Sequence, residues 1–244
     1  MNLLIRKAHL HGGQSLEESH ATRRTPGWRW LQTDQPNESH SLLTSTSLLV
    51  DMTWSEEAAL LSRALPDLGI GLHVHVTNGG RESAMDLTDA DNCRAELHRQ
   101  FCRFEELMGR PPTHLDAHHN VHRDARLLPH FLDLARQEGL PLREHSPVRY
   151  LSRFYGRWGG ETHPEQISVE GLLRIVETDV QDGVTELGCH PGYVDPDFPT
   201  GYATERAIEL QTLCDPTLRP ALAERQIHLV AFHHLASLAA GLPT

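Results

Sequence analysis

Little in this chain is built for a membrane, a nucleic acid or an oxidising compartment. No apolar run reaches the ~20 residues that a bilayer-spanning helix needs. The opening Met1-Asn2-Leu3-Leu4-Ile5-Arg6 is too short and too soon charged for a secretion signal. There is no basic stripe: 22 Lys and Arg stand against 33 Asp and Glu, a net charge of −11, so little could displace the counterions of DNA or RNA. The four cysteines, at 93, 102, 189 and 214, show no Cys-x-x-Cys spacing, and two of them fall in a helical segment. Free thiols are expected rather than a disulfide framework. No internal repeat is visible. These absences leave a cytoplasmic enzyme as the default, and 244 residues can form one large α/β domain, expected to span 1–244.

What is present alternates between strand and helix. Leu3-Leu4-Ile5 starts a strand, but from Arg6 to Ser41 neither periodicity appears, and Pro26 and Pro36 interrupt the text. Such a length is at odds with loops in compact domains, so residues 6–43 read as atypical and poorly ordered. Strands are expected over Thr44–Val50, Ile70–Val76, Val184–Cys189 and Ile227–Phe232. Helices are expected from Ser55, from Asp89 (with a Cys93, Leu97, Phe101, Phe104, Met108 stripe), from Asp124, from Ser168, from about Thr204 and from Asp215-Pro216. The region from 142 to 166, rich in Arg, Tyr, Trp and Gly, stays largely unassigned. Its aromatics beside arginines suit either a sugar site or loop packing. Right-handed strand–helix–strand crossovers of this kind make a parallel sheet or barrel.

Chemistry gathers at the strand ends. Thr113-His114-Leu115-Asp116-Ala117-His118-His119-Asn120-Val121-His122 places four histidines and a carboxylate where a short strand gives way to a loop. Strand alternation would set His114, Asp116 and His118 on one face. His73 ends one strand and His190 another, and in a parallel α/β fold such ends share one face of the molecule. Imidazoles with a carboxylate can hold a divalent ion and leave a position for water, and a further histidine can move a proton at the leaving nitrogen. The residues alone therefore read as a metal-assisted hydrolase. His75, His98, His130, His145, His163 and His228 read as structural or surface positions.

The phrases Gly71-Leu72-His73, Thr113 to His122, and Glu186-Leu187-Gly188-Cys189-His190-Pro191-Gly192-Tyr193 together resemble the motifs of the YdjC-like carbohydrate deacetylases, in order and spacing, from about Thr44 to Phe232. The resemblance implies a distorted (β/α) barrel of the polysaccharide-deacetylase type, one divalent metal (Mg or Zn) and a small N-acetylated sugar as substrate. It implies His73 and His118 as metal ligands; Asp116, by the habit of ligating imidazoles to donate their other nitrogen to a carboxylate, reads as the orienting partner. His190 would be a proton donor or oxyanion partner. His119, His122 and Tyr193 would lie near the substrate. Relatives are often dimers, so a homodimer is expected by analogy.

The first strand departs from the family. There the family carries an Asn-Ala-Asp-Asp-Phe-Gly motif, whose first aspartate is the general base and whose second is a metal ligand. This chain reads Lys7-Ala8-His9-Leu10-His11-Gly12, with His9 at the base position and Leu10 at the ligand position. A shifted reading frame or true divergence would both give this block. His9 or His11 is the candidate substitute, as base or as neutral ligand, with His9 at the base position. Two further readings stand beside the deacetylase: an inactive sugar- or metal-binding relative, and a metal phosphoesterase, against which the scarcity of basic residues counts.

Overall fold

The structure, a computed structural model, describes residues 2–10 (backbone path only), 41–77, 85–193 and 201–239. Strand β1 runs Asn2–Leu10, β2 Ser45–Leu48, β3 Gly69–Val74, β4 Leu115–Ala117, β5 Arg149–Leu151, β8 Gly183–Cys189 and β9 Ile227–Leu229. All pair in parallel, in the order β4-β3-β2-β1-β8-β5, and β9 joins β1 as well. Along one edge β1 pairs first with β9, through Asn2–Leu4, and then with β2, through Lys7–Leu10; β8 takes its other edge. A small antiparallel hairpin, β6 (Arg157–Trp158) and β7 (Glu161–Thr162), stands apart. The architecture is mixed α/β, and β1 occupies the middle of the sheet.

Helices α1 (Ser55–Arg63), α2 (Ala90–Met108), α3 (Leu128–Glu138), α4 (Val169–Asp179), α5 (Ala203–Leu213), α6 (Leu218–Glu224) and α7 (Leu235–Ala239) follow the strands. The expected stripe of α2 is its buried face: Cys93, Leu97, Phe101, Phe104 and Met108 all join the main core. Asp89 caps α2 by accepting the Asn92 N–H, and Ser168 caps α4 by accepting that of Gly171. Gly109 and Gly139 end α2 and α3 in the left-handed region, at φ 67° and 65°.

Several boundaries differ from the sequence reading, each for a local reason. Strand β1 continues to Leu10, five residues past Ile5, because β2 and β8 supply partners along its whole length. Ser55 opens α1 without capping it: its hydroxyl donates to the Leu49 carbonyl and accepts the Met52 N–H, tying strand end to helix start. Asp215 likewise spends its carboxylate on the Thr217 N–H and hydroxyl, so α6 begins at Leu218. After β4 the chain forms a 3-10 turn over His118–Arg123, and α3 begins only at Leu128. Most of the expected atypical block lies outside the described residues.

One side of the strands faces the helices with large apolar residues, including Leu48, Leu72, Val74, Leu115, Ala117, Leu187 and Cys189. The other carries Ser45, Ser47, Gly69, Gly71, His73, His114, Asp116, Glu186 and Gly188. Gly71 makes room there: a Cβ would lie 2.4 Å from the His114 ring, which stacks on Phe232 at 3.9 Å. His114 is thus a packing residue at the lower end of this inner face.

Candidate active site

The upper end of the same face holds the chemistry. Residues His73 and Asp116 are level in the β3–β4 register, which brings their side chains together. His73 Nδ1 is 3.0 Å from Asp116 Oδ2, and both residues are buried. Ser47 Oγ on β2 lies 3.3 Å from the same nitrogen. A carboxylate partner on Nδ1 fixes that nitrogen as the N–H and makes Nε2 the lone-pair donor.

Asp116 is itself held by Arg143, whose Nη2 is 3.1 Å from Oδ2 and 2.7 Å from Glu186 Oε1 on β8. Arg143 also donates from Nη1 to the Asn120 side chain at 3.2 Å, and its guanidinium lies 4.2 Å from the Tyr150 ring centroid. Burial works against the Arg143 charge, but Glu186 and Asp116 outweigh it and keep the guanidinium firmly protonated. One buried arginine therefore ties β4, the turn after it and β8 into a single frame.

The turn itself is built from left-handed backbone at His119 (φ 53°) and Asn120 (φ 54°), with Asn120 pinned by Arg143. It folds His118 against its neighbours: the His118 ring is 5.6 Å from His73, 5.0 Å from His75 and 3.9 Å from His119, centroid to centroid. Burial first, then the nearby imidazoles of His73, His119, His75 and His190, push the His118 pKa down to about 2. Burial, with the imidazoles of His73 and His119, lowers that of His75. These rings are neutral at physiological pH, the state in which imidazole ligates metals.

His190 follows the end of β8. Its ring stands edge-on to Tyr155 and Tyr202, at 5.9 and 5.8 Å. Burial, with the charges of Arg206 and Arg143, pushes its pKa down to about 3. Tyr193, two residues past Pro191, is 40% exposed. At the end of β1, His9 is level with Ser47, the residue that reaches the His73 imidazole, and Leu10 is level with Leu48.

The structure thus brings His73, Asp116, His118 and His119 together. His122 is not brought there: the backbone reversal at His119–Asn120 turns it inward, fully buried, 3.2 Å from Glu144 and edge-on to Phe131. In this structure its side chain therefore packs and hydrogen-bonds away from the His73–His118 group. His75, read as structural or surface, lies in the imidazole group, its backbone held by Gln100 on α2 in both directions. Sequence reasoning missed Arg143, which comes from the unassigned region and has no spacing signal. Glu186 did carry one: a carboxylate inside a buried strand requires a cationic partner. Among the described residues no group of three His, Cys, Asp or Glu side chains forms a metal cage. His73 and His118 fit a divalent cation in ligand type, and His118 also in its neutral state, but they are two donors.

The pattern of the YdjC-like proteins matches residues 39–224. This chain belongs to the YdjC-like family. A chitooligosaccharide deacetylase of Serratia marcescens is 33% identical to this YdjC-like chain, over 80% of it and 89% of the relative. Among solved structures, a protein of Enterococcus faecalis V583 named for cellobiose-phosphate cleavage superposes with TM-score 0.75 at 24% identity, covering 96% of this chain and 98% of the other. A family 4 acetyl xylan esterase from Clostridium thermocellum, in complex with a cobalt ion, superposes at 0.52 with 14% identity, covering 99% and 93%. At these identities the two structures bear on the fold alone, which is of the polysaccharide-deacetylase type. The family match begins at residue 39, just before the end of the aperiodic block.

Proposed function

We propose that this YdjC-like protein is a metal-dependent carbohydrate deacetylase that removes acetyl groups from small N-acetylated sugars, acting as one catalytic domain with one divalent cation, Mg or Zn. The observation that carries the reading is the pair of imidazoles 5.6 Å apart, one of them buried against a carboxylate, in a family whose 33%-identical relative is named for this reaction. His73 and His118 would hold the cation, with Asp116 fixing the His73 tautomer. A divalent cation supplies Lewis acidity toward water and the amide carbonyl.

Hydrolysis of an acetamide breaks the C–N bond, forms a C–O bond from water, and moves one proton from that water to the leaving amine. The depressed pKa of His190 disfavours a resting imidazolium. It therefore enters as a neutral N–H donor, suited to hydrogen-bond the oxyanion, and can carry a proton only after taking one up. His9 occupies the candidate base position, level with Ser47 in the register. His119 and Tyr193, both exposed, are the candidate sugar contacts.

A second reading, an inactive metal- or sugar-binding relative, is favoured by one observation: Leu10 stands where the family's carboxylate ligand is expected, and the described ligands number two. Metal titration with acetate release from diacetylchitobiose separates the readings. Metal uptake with acetate release, both lost in His73→Ala, supports the enzyme; uptake without acetate supports the relic. Release of phosphate from a phosphomonoester, without acetate, would point instead to a phosphoesterase. Replacing His9→Asp and Leu10→Asp together is expected to raise activity by roughly 10²-fold or more, the weight of a well-placed general base. No rise would show that this alignment of β1 is wrong or that the block after it prevents assembly.

A further inference from the structure

The turn that carries His190 is gripped from one helix, α5. Glu209 is fully buried there, and its two carboxylate oxygens are both engaged: Oε2 accepts the His190 backbone N–H, and Oε1 accepts the Tyr202 hydroxyl. The Tyr202 oxygen in turn accepts the Gly156 N–H at 2.8 Å. One helical turn earlier, Arg206 donates from Nη1 to the His190 carbonyl at 3.2 Å, while its own carbonyl accepts the Gly192 N–H at 3.2 Å. Both backbone groups of His190 and the N–H of Gly192 are thereby fixed. Tyr202 meanwhile places its ring edge-on to the His190 imidazole and stacks on Tyr155 at 4.6 Å.

We infer that Glu209 is a positioning residue for the candidate catalytic His190, fixing the His190–Gly192 turn and the tyrosine beside its ring through one buried carboxylate. The inference rests on the proposed role of His190. A buried carboxylate is costly where packing alone is needed, and an apolar side chain would fill the same volume more cheaply. This one accepts from two groups that both bear on the His190 ring, one through its backbone and one through its neighbour. Charge-assisted bonds of this kind hold geometry more tightly than neutral ones. Burial pushes the Glu209 carboxyl up to about 7, against the opposing pull of Tyr202, the His190 N–H and Arg206, with Glu205 adding to the rise. Among the described residues Tyr155 is a further titratable group coupled to it. Protonation replaces an acceptor by an O–H, so the grip strengthens as pH rises through neutrality.

The test uses Glu209→Gln, which keeps shape and one acceptor oxygen but no charge, and Tyr202→Phe, which removes only the hydroxyl. Amide hydrogen exchange at His190 and Gly192 is read in the intact protein, beside kcat, KM and the pH profile of acetate release from diacetylchitobiose. Glu209→Gln is expected to speed exchange at the His190 amide about tenfold. It should also lower kcat about tenfold with KM little changed, and remove the inflection near neutral pH. Tyr202→Phe should act in the same direction and less. His190 exchange as slow as in wild type in both variants overturns the inference, as does unchanged kcat where exchange has risen. If wild type releases no acetate, the deacetylase reading fails separately, and exchange at the His190 amide decides the anchoring by itself.

Discussion

At the scale of single residues, Arg143 has the most at stake. Its removal leaves the buried carboxylates of Asp116 and Glu186 side by side without a counter-charge. Arg143→Met is therefore expected to cost about 3–5 kcal/mol in urea unfolding, the usual penalty for breaking a buried ion pair by one partner. Asp116→Asn asks a narrower question. It keeps the side chain's size but weakens the hold on His73 Nδ1, and should lower divalent-metal affinity about 10–100-fold in calorimetric titration. Equal affinity in the variant would remove Asp116 from the metal's surroundings. The placement of His73, His118 and His190 at or just past the ends of apolar strands was legible, because apolar runs mark strands locally. Arg143 was not legible, since its partners lie on β4, β5, β8 and the turn after β4, and no local pattern announces contacts drawn from so many elements. The reversal at His119 and Asn120 was equally hidden, and it sent His122 into the core.

At the scale of elements, helix ends were read well wherever the capping side chain had no other task. Asp89 and Ser168 cap as expected, and Gly109 and Gly139 stop their helices. Ser55 and Asp215 have the right chemistry but bond elsewhere, so the apparent caps were displaced. Asp89→Ala should cost about 1 kcal/mol by denaturant unfolding, the usual worth of an N-cap. Gly71→Ala is expected to cost more, about 1–3 kcal/mol. The new Cβ would lie 2.4 Å from a His114 ring that cannot easily retreat, being stacked on Phe232 and held by Thr113 Oγ1 at 2.8 Å from Nδ1. A neutral result would mean that the inner face of the sheet is looser than its packing implies.

For the whole molecule, the buried imidazoles set the response to acid. In the metal-free protein His118 and His190 stay neutral down to about 2 and about 3, while unfolding returns each to its ordinary value of 6.5. As pH falls below 6.5 the unfolded chain takes up protons that the folded chain refuses, so their contribution is present above 6.5 and lost toward 3. Glu209 has the opposite sign: folded it holds its proton to about 7, unfolded only to 4.5, so its contribution declines as pH rises across that window. Two histidines outweigh one carboxyl. The melting temperature should therefore fall from pH 6.5 to 4.5, and fall more steeply in Glu209→Gln, where the opposing group is gone. At this scale the α/β class was readable from alternating periodicities, whereas the strand order was not. Nothing in Leu3-Leu4-Ile5 reveals that β1 lies between β8 on one edge and β2 with β9 on the other, because pairing partners are chosen by topology and not by the strand's own text.

That central place for β1 has a temporal cost. Its backbone neighbours at Gly183–Cys189 and Ile227–Leu229 lie far downstream of it, so β1 cannot be enclosed on those edges until both have been made. Contacts so remote along the chain slow folding and prolong exposure of an unsatisfied strand edge. Newborn molecules should consequently lean on chaperones, and any lesion that delays the closing strands would show as lost yield before it showed as lost chemistry.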